Sequence, residues 1–577
     1  MILQALTSLY EALAQKGEIS KEGWSREKIS FALSIDEEGN LLRVTPLFDT
    51  VDGPKGKTRE VPQKMTVPIK VGNTSPKFLW GNSGFILGTA NDKTPEAAKD
   101  CFKRNRDLHH EVLKGIEVPA AKAILSFFDR WEPEKTLENE LVTSCAGELL
   151  GKANMVFRFN GKFIHEIPQL AAAWQAHYGE TAKERGQCLI TGALDAIPNT
   201  HPLIKGVQGA QSSGAALVSF NASAFCSYNK EQNQNAPVGK YAAFAYTAAL
   251  NHLLADRKNV HRIGDAAVVC WAENADKQYE EFAADLFFGD GDGDQSDEQR
   301  LSALQASVEL LAKGLPCREL DLDPERKFYI LGISPNAARL AVRFFYCDSF
   351  GNIVKNIKAH YDRLEIVRPS YDKYPMLPLW KLLSATVNPS AKDKTPNPAM
   401  AGAVARAVFS GGRYPASILE CTFLRIRAER EITRERAAII KAYYLRNPNE
   451  KCPKEVLTVS LNKDSKNVPY TLGRLFSVYE EIQQAANPGI NTTIKDKYFG
   501  SAATMPATVF PILSSLAQKH LRKLSDAQRI YLDKKVMTLK DILGEQYPAH
   551  MSLPEQGSFD LGYYHQTQDR YTKKEDK

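Results

Sequence analysis

The stretch "VRPSYDKYPMLPLW", residues 367–380, places three prolines and three aromatic residues within fourteen positions. Proline fixes φ, removes a backbone donor and biases the preceding residue away from helix, so this stretch reads as a stiff connector. The patterns on its two sides differ. Upstream, short apolar alternations are mixed with helical periods; downstream, only helical periods remain. The expected fold is therefore an α+β N-terminal part with mixed and antiparallel strands, residues 1–370, followed by an all-α C-terminal helical bundle, residues 375–577.

Working upstream, "RLAVRFFYCDSFGNIVKNI" (339–357) alternates as a strand and is expected to break at Gly351. "KFYILGIS" and "DAAVVCWAE" are further strands. "NMVFRFNGKFIHEI" sets Asn160 and Gly161 between two alternating runs, the strongest short hairpin signal in the chain. "ISFALSIDEEGNLLRVTPL" alternates through Phe31, Leu33 and Ile35 into a turn and out again. Helices are expected around 120–130, 241–255 and 298–313. Downstream they are expected at 398–409, 416–447, 469–487, 506–524 and 526–543. Asn397 with Pro398 supplies a cap and a first helical position, and Ser525 with Gln528 a capping box.

At 577 residues, 43% hydrophobic and 25% charged, the chain has the composition of a soluble globular protein of two to four domains. No run of about 18 apolar residues is present to span a bilayer. The start "MILQALTSLYEALAQKG" lacks the basic head and small-residue cleavage site of a signal peptide. Ile2, Leu3, Leu6, Leu9, Tyr10 and Leu13 predict an amphipathic first helix instead, and a cytoplasmic location with no membrane partner is expected. The nine cysteines are at least 30 positions apart, which excludes CxxC and zinc-ribbon spacings. Net charge is +6, yet residues 401–540 hold 23 Lys and Arg against 12 Asp and Glu, a local +11 that a polyanion would meet first.

Several motifs fail on inspection. "GVQGAQSSGAALVSF" (206–220) is glycine-rich but lacks the Gly-Lys-Ser/Thr ending of a phosphate loop, and it leads into an apparent strand, so it reads as a tight backbone crossing. Asp290, Asp292 and Asp294 have calcium-loop spacing, but Gln295 replaces the turn glycine and Leu301 the closing glutamate. His109 and His110, adjacent on a helix, cannot chelate one metal from one face. No catalytic residue, metal site or cofactor is expected.

Three groups of residues look like recognition chemistry. "LECTFLRIRAEREITRERAAIIKAYYLR" carries Arg425, Arg427, Arg430, Arg434, Arg436, Lys441 and Arg446; on one helix Arg427, Arg430 and Arg434 would form a cationic stripe. The alternative is a face salted by Glu429, Glu431 and Glu435. "MTVPIKVGNTSPKFLWGNSGFILG" (65–88) combines Lys70, Asn73, Thr74, Lys77 and Asn82 with three glycines, which permits close backbone approach. "LVSFNASAFCSYNKEQNQNAPVGKYAAFA" (217–245) offers Asn221, Ser223, Ser227, Tyr228, Lys230, Gln232 and Asn235, groups that contact phosphates and base edges. The alternative for both loops is a self-satisfied polar network.

The blocks "SPKFLWGNSGFILG", "GVQGAQSSGAALVSFNASAFCSYNKEQNQNAPV", "GISPNAARLAVRFF", "TLGRLFSVYEEIQQAAN", "NTTIKDKYFGSAATMPATVFPIL" and "LGYYHQ" closely resemble the large subunit of the type I-C CRISPR surveillance complex, Cascade. The resemblance runs from about residue 68 to the C-terminus. It implies a non-enzymatic subunit that recognises the protospacer-adjacent motif (PAM) in duplex DNA, helps separate the strands and receives the helicase-nuclease, while guide RNA reads the rest of the sequence. It implies partners too: guide RNA, the backbone, 5′-end and small subunits, and target DNA. On that reading Lys70, Asn73, Thr74, Lys77 and Asn82 meet the PAM duplex. Asn221, Ser223, Tyr228, Lys230, Gln232 and Asn235 meet DNA or the guide's 5′ end. Arg427, Arg430, Arg434, Lys519, Arg522 and Lys523 follow the displaced strand. Where the family commonly has glycine, aspartate and asparagine, this chain has Asn229, Gly81 and Lys77. An internal translation start near Val459 is a further implication. The competing expectations are a nuclease or guide-processing enzyme with a histidine or lysine site, to be tested at His201 or His165, and a purely architectural subunit.

Overall fold

The alternation at Phe31, Leu33 and Ile35 becomes the strand Phe31–Ile35 in the computed structural model of the chain, which describes residues 1–52, 58–69, 76–151, 153–180, 185–288, 298–372, 374–544 and 546–571. Leu41–Pro46 returns antiparallel beside it, and Asn154–Phe159 runs parallel on its other side, pairing Phe31 with Met155. Trp80–Asn82 and the short arm Lys162–Phe163 complete five strands. On one face Phe31, Leu33 and Phe157 pack with Phe102, Phe127 and Phe128 from the helices Pro95–Val112 and Pro119–Arg130. On the other, Ala32, Val156 and Trp80 meet Ile29 and Val67 from a three-stranded antiparallel sheet of Trp24–Ile29, Thr58–Pro68 and Phe48–Asp52. The Asn160 and Gly161 turn forms with φ of 48° and 78°, as a two-residue hairpin requires. Its second arm is short because Ile164 and His165 turn into the core.

These elements belong to one compact unit, Leu6–Pro202 with Ser219–Ala249; the second is Met1–Ala5, Leu203–Val218 and Leu250–Lys577. The first helix, Ile2–Gln15, buries Leu6, Leu9, Tyr10 and Leu13. In the second unit, His261–Ile263, Ala266–Ala272, Lys327–Asn336 and Arg339–Ser349 form an antiparallel sheet in chain order. Phe328, Ile330 and Phe344 from this sheet join one continuous core with residues of the helices that follow. Beyond Ser349 the described chain is helical and irregular without a further strand, which is the expected α+β to all-α change.

Three local expectations are corrected. Gly351 does not break a strand: the strand ends at Ser349 and Phe350–Leu364 is helical. A Cβ on Gly351 would press on Pro324 and the Leu311 carbonyl oxygen, so the residue is small to let the helix lie close. The apolar run at 217–220 forms no strand; Ala215 and Ala216 make single bridges to Ile204 and Arg339, while Gly206, Gly209 and Gly214 take positive φ around the crossing. Residues 416–447 are two helices, Ala416–Glu429 and Arg434–Arg446, because Arg430 adopts left-handed φ of 55°.

The other C-terminal helices fall where the periodicity places them: Pro398–Ser410, Val468–Ala486, Pro506–Leu521 and Asp526–Leu543. Asn397 accepts from the Met400 amide as a cap. Ser525 does not cap; its hydroxyl lies 3.3 Å from Gln528 Oε1. Two long helices, Ile494–Thr504 and Leu553–Tyr571, were not visible in the periodicity. Val468–Ala486 and Leu553–Tyr571 cross backbone to backbone. A Cβ on Gly473 would overlap the Phe559 carbonyl, and one on Gly562 would overlap the Tyr470 carbonyl. The acidic run at 289–297, with Asp290, Asp292 and Asp294, lies outside the described residues.

Candidate nucleic-acid interface

Ser227 to Lys230 is a tight turn in which the Lys230 amide donates to the Ser227 carbonyl at 3.0 Å. Its central residues, Tyr228 and Asn229, both have left-handed φ, 54° and 57°, which makes it a type I′ turn. Asn235 grips the turn from both sides. Its Oδ1 accepts from the Ser227 amide at 2.9 Å, and its Nδ2 donates to the carbonyls of Lys230 and Gln232 at 3.1 and 3.0 Å. Glu231 and Gln234 form a reciprocal capping box on the short 3-10 turn Gln232–Asn235.

Beneath the turn, buried Asn233 donates to the carbonyls of Pro198 and Val238. Its Oδ1 accepts from His201 Nε2 at 2.8 Å, and His201 Nδ1 accepts from the Tyr246 hydroxyl at 2.7 Å. Burial holds this histidine below its ordinary pKa, which fits a neutral ring with both nitrogens engaged. The loop therefore divides its polar groups. Glu231, Asn233, Gln234 and Asn235 hold it together, so Asn235, from the expected contact set, spends its amide on the loop's own backbone. Asn221, Ser223, Tyr228 and Lys230 face outward, with Gln232 half-buried between the two groups. Tyr228 is 95% exposed.

In the second loop Lys70, Asn73 and Thr74 lie outside the described residues. Lys77 is half-buried, its ammonium 4.4 Å from the Trp80 ring centroid and its amide bonded to Asn105 Oδ1 at 2.8 Å. The Leu79 amide donates to His109 Nε2, and His109 Nδ1 donates to the Asn105 carbonyl, so a neutral histidine fastens the loop to the helix Pro95–Val112. Asn82 ends the strand Trp80–Asn82, and its buried Oδ1 has no partner among the described residues. His110 faces Asp129 instead, at 2.8 Å.

Burial lowers His109 and His165 to about 4, and His360 and His565 to about 3, against about 6.5 in an unfolded chain. Below that value the unfolded state binds protons that the folded state refuses. Stability is thus full above pH about 6.5 and falls as pH drops toward 4, by about 1.4 kcal/mol per pH unit for each fully titrating histidine. Urea melts at pH 7 and pH 5 check this; equal stability at the two would contradict it.

The arginine stripe is corrected. Arg434 is buried, bonded to Asp372 at 2.9 Å and to the carbonyls of Tyr374 and Pro375. Arg436 is buried against Glu429, and Lys441 donates to the Arg363 carbonyl. Arg425 pairs with Glu429, and Arg446 donates to the Gly412 carbonyl. Arg427, which donates to Gln556, Arg430 and Arg446 are the exposed members of this set, and the helix break at 430–433 prevents one helical face. Lys519, Arg522 and Lys523 are exposed on adjacent turns at the end of Pro506–Leu521.

A family model described as a CRISPR-associated protein, Cas_Csd1, matches residues 6–571. The chain belongs to the Cas_Csd1 family. No curated protein matches it. The family match covers the outward loop, the Lys77 loop and the helices to Tyr571 alike. What this Cas_Csd1 chain offers at the outward loop is neutral hydrogen-bonding groups, one aromatic ring and one ammonium. At Lys519, Arg522 and Lys523 it offers charge alone, the kind of surface that follows a phosphate backbone without reading it. Among the described residues no group of three His, Cys, Asp or Glu is placed to hold a metal ion, and no helix is long and apolar enough to cross a membrane.

That Asn233 is buried and Asn235 is spent on the loop's own backbone was not legible in a run of amides. The one available signal is the position of both just before Pro237, where a chain leaving a loop must satisfy its backbone groups locally.

Proposed function

We propose that this Cas_Csd1 protein is the non-catalytic large subunit of a type I-C Cascade acting in the cytoplasm. It recognises the PAM in double-stranded DNA, promotes strand separation and R-loop formation, steadies the displaced strand and recruits the helicase-nuclease. Its partners are guide RNA, the backbone, 5′-end and small subunits, and target DNA. The observation that carries the reading is an outward loop of amide, hydroxyl, ring and ammonium groups in a chain of CRISPR-associated family. His201 and His165, the two histidines at which the enzyme alternative would be tested, are both buried, which speaks against their acting as exposed bases. A fragment starting at Val459, in the irregular segment before Val468–Ala486, would supply a small subunit of 119 residues.

A PAM-library binding assay on the assembled complex tests the reading. Selection of one PAM that is lost without this chain supports it; the same selection by a complex lacking the chain overturns it. Changing Lys519, Arg522 and Lys523 together to alanine should weaken binding alike for all sequences. The slope of log affinity against log salt should become shallower by about 2, at roughly 0.7 per lost contact to single-stranded DNA. An unchanged slope would remove these three residues from the interface.

A further inference from the structure

We infer that Tyr228 is a stacking surface for an unpaired nucleobase. The inference rests on the nucleic-acid reading above and names the ligand class of the outward loop. The first central position of a type I′ turn needs positive φ and is occupied by Asn, Asp or Gly, residues that adopt it at little steric cost. Here Tyr228 occupies it, with φ of 54°. At 95% exposure the ring returns nothing in packing for that strain. Neither the turn nor the core accounts for an aromatic residue at this place.

The turn also fixes where the ring goes. Asn235 bonds the chain on both sides of it, to the Ser227 amide and the Lys230 carbonyl. A ring on a turn held so firmly loses little freedom when a flat partner settles on it. No wall surrounds it, so it cannot read the edge of a base, but every base has a π-face, and such stacking tolerates any sequence. Two residues on, the Lys230 ammonium makes no ion pair among the described residues and can meet the phosphate of the same nucleotide. A base pair inside a duplex shows its edges and hides its faces. The ligand is therefore a base already out of the stack, in a displaced strand or at the end of a guide.

The test uses the full chain and a DNA strand carrying 2-aminopurine, whose fluorescence falls on stacking, supplied single-stranded and as a duplex. The wild-type protein should quench the single strand and not the duplex. Tyr228→Asn, which suits the turn, should weaken single-strand binding at least about fivefold, with melting temperature unchanged or raised. Tyr228→Phe should bind and quench like wild type, since the ring acts and the hydroxyl does not. A wild-type protein that fails to quench, or a Tyr228→Asn variant that binds and quenches as before, overturns the inference. So does a variant that keeps the quench but sheds a protein subunit, since the ring is then a protein-docking residue. PAM selection by the assembly scores the proposed function separately, so either reading can fail alone.

Discussion

Arg434→Ala is expected to destabilise the protein by about 3–5 kcal/mol, because it leaves a buried carboxylate without its main partner. Arg434 is 7% exposed and its guanidinium spans Asp372 and the carbonyls of Tyr374 and Pro375. It thereby pins the proline-rich connector to the helix Arg434–Arg446. Lys381 stays 3.2 Å from Asp372 and offsets part of the loss, which favours the lower end of the range. Burial pushes the Asp372 carboxyl up, but hydrogen bonds from Arg434, the Tyr374 amide and Lys381 outweigh it and hold the group below the usual range. A depressed carboxylate stabilises the fold above its unfolded pKa of about 3.9, and that stability is lost as pH falls through the folded value. The wild-type advantage over the variant should therefore shrink in strong acid. Arg430→Ala, at an exposed position, is the control, expected within about 1 kcal/mol of wild type. Urea unfolding in which both variants lose equally little would refute the structural role.

Gly473→Ala and Gly562→Ala are expected to be at least as damaging, each costing about 3 kcal/mol or more. An added methyl at either position meets a backbone carbonyl of the partner helix, Phe559 or Tyr470, and not a side-chain end that could swing away. Helix propensity alone predicts the opposite sign, since alanine is favoured over glycine by about 1 kcal/mol inside a helix. Gly500, in the helix Ile494–Thr504, supplies that opposite case. A Cβ there meets nothing within 4 Å, so Gly500→Ala should stabilise by about 0.5–1 kcal/mol. Thermal melts of the three variants decide the matter; a gain at Gly473 equal to that at Gly500 would mean the two helices do not touch as described.

The parts of the fold legible in sequence are those whose signal is local. Asp526–Leu543 buries Leu532, Val536, Leu539 and Leu543 at helical spacing, and although Ile530, Tyr531 and Met537 stay exposed, that period locates it to the residue. Leu553–Tyr571 is buried on every side from Gln556 to Gln566, so it has no amphipathic period to detect. Its one usable signal was Ser552 followed by Glu555, a capping pair whose Ser552 amide donates to Glu555 Oε2 at 2.6 Å. The break at Arg430 left no trace, since nothing about arginine announces left-handed φ. The burial of Arg434 depends on Asp372, far upstream, and no window around the arginine contains that partner. At the outward loop the residue types were legible, but which amides hold the turn and which face outward is set by the fold beneath it.

The crossing of Val468–Ala486 with Leu553–Tyr571 also fixes an order of events during synthesis. The earlier helix leaves the ribosome with a notch at Gly473 that is filled by the backbone of the 19-residue helix Leu553–Tyr571. Until Leu553–Tyr571 has been made, the crossing cannot form. A stop before Leu553 would leave Val468–Ala486 without this partner. A chain begun at Val459 would carry both sides of the crossing and could close it without the rest.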